Sequence, residues 1–130
     1  MVSEAEIESI RSIVSSKEGV AYAILFGSAL GCLLIHSDID LMIGGDPGPR
    51  EKADLLSDLT VSLGREVNII SPGEARCEVV LRAFSSGVAI FVRDKEGMKE
   101  DYFRNYRLCD EGKPLKRIRF ERLRRVYGNG

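Results

Sequence analysis

Residues 21–43 read AYAILFGSALGCLLIHSDIDLMI. An apolar run ends in Gly27-Ser28. Nine residues then lead to Asp38-Ile39-Asp40, and a second apolar run follows at once through Leu41, Met42 and Ile43. Apolar runs this short, bounded by turn residues, are strands buried in a sheet. Two carboxylates on alternate strand residues face the same side, with Ile39 between them facing the core. Clustered carboxylates with no cation beside them repel each other, and a divalent metal relieves that repulsion. A Gly-Ser turn lets backbone N–H groups approach a phosphate closely. Phosphate cradle and metal carboxylates together are the chemical minimum for nucleotidyl transfer.

The spacing resembles the signature of the polymerase-beta-like nucleotidyltransferase superfamily, and the short chain is most similar to its minimal nucleotidyltransferase (MNT) domains. The resemblance covers roughly residues 20 to 110. It implies an α/β (α+β) fold with a small, mixed, four-stranded sheet flanked by helices. It implies catalytic and metal-binding roles for Asp38 and Asp40 with Mg²⁺, and phosphate contacts for Gly27 and Ser28. It implies transfer of a nucleoside monophosphate, AMP above all, from ATP or another NTP to an acceptor hydroxyl. The acceptor would be a partner protein of the HEPN type, as in toxin–antitoxin pairs.

Two departures from that pattern stand out. The family's third carboxylate, on a later strand, corresponds to Asn68 within Val67-Asn68-Ile69-Ile70. An amide takes no proton at neutral pH and is a poorer Mg²⁺ ligand than a carboxylate. Glu66, two residues earlier, shares a sheet face with Asn68 and is the candidate replacement, one pleat away. No Lys or Arg lies between Gly27 and Asp38, so the family's Arg after Gly-Ser is missing. A catalytically impaired protein that acts by binding its partner is therefore the alternative function. His36 alternates with Asp38 and Asp40 and can face the same site. A lone His is more often structural.

Other elements follow from pattern. Ser3 and Glu6 form a capping box ahead of Ile7, Ile10 and Val14, giving a helix over residues 4–16. Strands are expected at 20–26, 39–43, 65–70 and 87–92. A short helix or turn should follow Gly27-Ser28. A helix over 51–63 should present Leu55, Leu56, Leu59 and Leu63. Ser71-Pro72-Gly73-Glu74 has the form of a helix start running to about residue 84. Phe84, Phe91, Tyr102, Phe103 and Tyr106 read as core rather than as a base-stacking platform.

The chain has 130 residues and a net charge of −1. From residue 113 onward there are seven basic residues and one acid, so that segment carries +6 and residues 1–112 carry −7. Residues 1–112 are expected to form the nucleotidyltransferase-like domain. Residues 113–130 are expected to form a basic helix, opened by Pro114, that belongs to the same domain or serves as an interaction tail. No aromatic interleaving accompanies the charge, which disfavours nucleic acid as the partner. A homodimer through this tail or a strand edge stays open. No apolar stretch is long enough for a membrane span, and the acidic, amphipathic start is not a signal peptide, so a cytoplasmic protein is expected. Cys32, Cys77 and Cys109 are three in number and widely spaced; they read as free thiols, with one disulfide as the alternative.

Overall fold

The computed structural model describes residues 2–27 and 39–110. Ser28, Cys32, His36, Asp38, the turn expected after Gly27-Ser28 and the basic helix expected from Pro114 lie outside the described residues. In chain order the elements are α1 (Glu4–Ser15), β1 (Val20–Phe26), β2 (Ile39–Gly45), α2 (Pro49–Leu63), β3 (Val67–Ile70), α3 (Cys77–Ser86), β4 (Val88–Val92) and α4 (Lys95–Cys109). The sheet order is β3-β2-β1-β4. β1 runs antiparallel to β2 and to β4, while β3 lies parallel to β2. The expected mixed four-stranded sheet is therefore present.

Strand alternation sends side chains into two cores. On one face Ala23, Leu25, Leu41, Ile43 and Ile90 meet Ile10 and Val14 of α1 and Leu55 and Leu59 of α2. On the other, Tyr22, Ile24, Met42 and Ala89 meet Val80, Ala83 and Phe84 of α3 and Met98 and Tyr102 of α4. β1 is apolar almost throughout because both of its faces are covered. Each of its fully buried Val, Ile and Leu side chains contributes about 1.5–3 kcal/mol by leaving water. Phe84 lies edge-on to Tyr102 at 5.5 Å between ring centres and is tilted against Tyr22 at 6.1 Å. These rings are core, as expected, whereas Phe103 is half exposed. Leu55 and Leu59 are buried but Leu56 is exposed, so the apolar stripe of α2 is narrower than four leucines suggested. Among the described residues no helix is long and apolar enough to cross a membrane.

The capping box of α1 forms as expected: the Glu6 N–H donates to Ser3 Oγ at 3.1 Å, and the Ser3 N–H donates to Glu6 Oε1 at 3.0 Å. That Ser3 N–H, helped by Arg65 at 3.3 Å, holds the Glu6 carboxyl below its ordinary value of 4.5. A carboxylate whose folded pKa is depressed stabilises the fold above its unfolded pKa, and the contribution is lost as pH falls through the folded value. The Glu6→Gln variant should therefore show a shallower loss of stability than wild type as pH drops below 4.5. Urea midpoints at several pH values check this, and Ser3→Ala should cost about 1 kcal/mol at neutral pH.

Two of the boundaries that differ from expectation have a clear local cause. Ser71 and Glu74 do not start α3. The Ser71 carbonyl accepts from the N–H groups of Glu74 and Ala75, closing a turn, while Lys52 Nζ takes the Ser71 hydroxyl and the Glu74 carboxylate. With its capping groups so engaged, the chain starts its helix later, at Cys77. β3 is shorter than expected, because Arg65 turns to Glu6 and only residues from Val67 onward pair with β2.

The cysteines also differ. Cys77, the first residue of α3, and Cys109, the last of α4, form a disulfide with Cα atoms 5.8 Å apart. This corrects their reading as free thiols. The pairing was hidden because 32 residues separate them and only the packing of α3 on α4 brings them together.

Candidate functional site

β1 ends where β2 begins, and Phe26 sits opposite Asp40 in their ladder. Gly27 follows with φ +80°, a left-handed conformation in which only glycine is unstrained. A Cβ placed on Gly27 would lie 2.3 Å from Asp40 Oδ2. The glycine therefore does two things. It turns the chain out of the sheet, and it leaves the space that the Asp40 carboxylate fills. Ile39 is fully buried, as expected for the residue between two outward carboxylates. Asp40 shares its sheet face with Met42, at the rim of the core covered by α3 and α4.

β3 brings Asn68 into register with Asp40. The Asn68 Nδ2 donates to Asp40 Oδ1 at 3.2 Å. The register that would set a third carboxylate beside Asp40 thus presents an amide donor instead. Glu66 stands one residue before β3 and is exposed, with its carbonyl accepting from the Ile39 N–H at 3.0 Å. Sequence reasoning placed it within the strand; the structure places its backbone, not a strand position, against β2.

The structure therefore brings Gly27, Asp40 and Asn68 to one end of the sheet. Ser28 and Asp38, adjoining Gly27 and Ile39 in the chain, are outside the described residues. A divalent cation such as Mg²⁺ takes one or two carboxylates and keeps several waters. Asp40 with Asp38 would supply that pair, and the Gly27 turn keeps bulk away from the Asp40 oxygens.

A cleft of about 500 Å³ lies at the opposite end of the strands, beside Tyr22 and Gly45. Its cations are already matched: Lys52 to Glu74 at 3.1 Å and Arg104 to Asp101 at 2.6 Å. The Tyr22 hydroxyl donates to Asp101 at 2.7 Å, and burial, reinforced by that bond, holds its pKa well above the usual phenol range. This end is a set of closed structural contacts rather than a cradle for phosphate.

A family model described as "Polymerase beta, Nucleotidyltransferase" matches residues 8–96. The chain belongs to this nucleotidyltransferase family. The matched span holds all four strands, Gly27, Asp40 and Asn68. No protein with a curated description matches the chain significantly.

Solved structures share the nucleotidyltransferase fold at low sequence identity. One is a chain from a crystal structure of a toxin–antitoxin with AMP-PNP, with a TM-score of 0.66 and 15% identity over 78% of this chain and 85% of that one. A second comes from the toxin–antitoxin pair MntA-HepT, with a TM-score of 0.64 and 13% identity over 82% and 86% of the two chains. A third comes from a tri-AMPylated Shewanella oneidensis HEPN toxin in complex with its MNT antitoxin. There the TM-score is 0.63, with 14% identity over 81% and 84%.

Proposed function

We propose that this nucleotidyltransferase transfers AMP from ATP to a hydroxyl on a partner protein of the HEPN type, and acts in the cytoplasm as the antitoxin of a toxin–antitoxin pair. The observation that carries the reading is the Asp40 carboxylate held in the space left by Gly27, two residues whose neighbours in sequence include Ser28 and Asp38. Fold relatives from the AMP-PNP complex and from the complex that contains an AMPylated HEPN toxin support the choice of nucleotide and acceptor.

In the transfer, the acceptor hydroxyl gives its proton to water and its oxygen bonds to the α-phosphorus, as the bond to the bridging oxygen breaks and pyrophosphate leaves. Mg²⁺ bound by Asp38 and Asp40 would offset the negative charge that gathers on the phosphates. Gly27 and Ser28 orient the triphosphate through backbone N–H groups and a hydroxyl. Asn68 holds the Asp40 carboxylate in place by donating to one of its oxygens, but as an amide it takes no proton from the acceptor.

Thermal unfolding with ATP, with and without Mg²⁺, tests the site. A ligand present at about 100 times its Kd adds about 2.7 kcal/mol of stability. Wild type should show that shift only with Mg²⁺ present, and Asp40→Asn should lose it. Equal shifts in both proteins would place the nucleotide elsewhere.

The Asn68 hydrogen bond favours a second reading, in which a weakened site is retained and the protein works by binding its partner. Asn68→Asp supplies the absent carboxylate, and Asp38→Ala and Asp40→Ala separate the two readings. The restored carboxylate should raise the label-transfer rate by about tenfold or more, as expected for one added group that stabilises metal and transition-state charge. On the binding-only reading, Asp38→Ala and Asp40→Ala leave partner neutralisation intact.

A further inference from the structure

We propose that Cys77, Cys109 and Glu78, once the disulfide is reduced, form a binding site for Zn²⁺. One ligand atom from each of the three residues lies within 4.8 Å of the other two. Glu78 Oε1 stands 3.2 Å from Cys77 Sγ and 3.9 Å from Cys109 Sγ. Arg76 reaches the other oxygen, Oε2, at 3.4 Å and leaves Oε1 turned toward the sulfurs. The donors sit on two helices that pack against each other through Phe84 and Tyr102, so the protein holds them together without the covalent bond.

The chemistry matches a soft cation. Reduction by a dithiol or a phosphine adds two electrons and two protons and gives two thiols. Binding of Zn²⁺ then releases both thiol protons. Cys77 is the first residue of α3, where the positive end of a helix favours the thiolate. Zn–S bonds of about 2.3 Å in a tetrahedral arrangement set the two sulfurs roughly 3.8 Å apart. Cα atoms 5.8 Å apart span that separation by side-chain rotation. Glu78 supplies the third ligand and water the fourth, since zinc held by three protein ligands keeps a water in its fourth position. Thiolates select Zn²⁺ over Mg²⁺, so this site and the Asp40 carboxylate take different metals. The start of α3 and the end of α4 are then stapled in either redox state, by sulfur–sulfur bonding or through the metal.

Cobalt titration of the phosphine-reduced, chelator-treated protein tests the proposal, because thiolate–Co²⁺ charge transfer gives intense near-ultraviolet absorption that carboxylate ligation does not. The expected result is a band that saturates at one equivalent and is bleached by Zn²⁺. The band should be lost in Cys77→Ser and in Cys109→Ser and unchanged in Cys32→Ser and Asp40→Asn. Glu78→Gln, an exposed change that keeps the fold, should weaken Co²⁺ binding at least about tenfold. It decides the matter if a serine variant does not fold. No band in the folded reduced protein, a band that survives Cys109→Ser, or unchanged affinity in Glu78→Gln would each overturn the proposal.

Discussion

Replacing Cys77 and Cys109 together with serine should lower the stability of the oxidised protein by about 3–4 kcal/mol. The bond closes a loop of sequence separation 32. In the chain-entropy account, a loop of that size removes about this much conformational freedom from the unfolded state. The loss is a large share of the roughly 5–15 kcal/mol that holds a typical domain. It should appear as a fall in Tm of roughly 10–15 °C for a chain of this length. Wild type reduced in the presence of a chelator should match the serine variant. If the double variant stays within about 1 kcal/mol of the oxidised wild type, the covalent link does not restrain the unfolded chain as described.

A methyl group on Gly44 should cost about 3 kcal/mol. Gly44 pairs with Tyr22 across β1 and β2, and an added Cβ would lie 1.9 Å from Tyr22 Cε1. The ring has nowhere to yield: Tyr22 is fully buried, its hydroxyl is bonded to Asp101 and the Phe84 ring packs beside it at a tilt. Gly44→Ala therefore combines overpacking with loss of a buried hydrogen bond. The sign of the coupling is the sharper test. Tyr22→Ala alone should cost about 3–5 kcal/mol through the cavity it leaves. In that background Gly44→Ala should cost little, because the atoms it would strike are gone. Additive losses in a denaturant-midpoint cycle would show that the ring is not what excludes a side chain at position 44.

Much of the fold was legible in the sequence because its signals are local. The span of β1 follows from an apolar run bounded by glycines, and the start of α1 follows from Ser3 and Glu6, which meet as a capping box must. The errors arose where a distant partner claimed a local group. Lys52 takes Ser71 and Glu74 from the capping role their spacing suggested, and α3 begins at Cys77. Arg65 is drawn to Glu6, and β3 shortens. The disulfide depends on the packing of α3 against α4, which no spacing rule encodes.

The same division holds at the site. Gly27, Asp40 and Asn68 were legible as a set because the motif lies on strand ends, and the sheet brings them together. What the sequence did not show is why position 27 must be glycine. The reason is the Asp40 carboxylate lying where a Cβ would be. Nor did it show that the Asn68 amide turns its donor onto that carboxylate.

The measurement that bears most directly on the proposed activity is transfer of label from ATP labelled on its α-phosphate to a co-encoded partner protein. Wild type and Asp40→Asn are compared, with and without Mg²⁺. Label on the partner should require Mg²⁺ and disappear in Asp40→Asn. Absence of labelled partner with every NTP and divalent metal tried would contradict the proposed activity and leave the protein as a binder built on a nucleotidyltransferase fold.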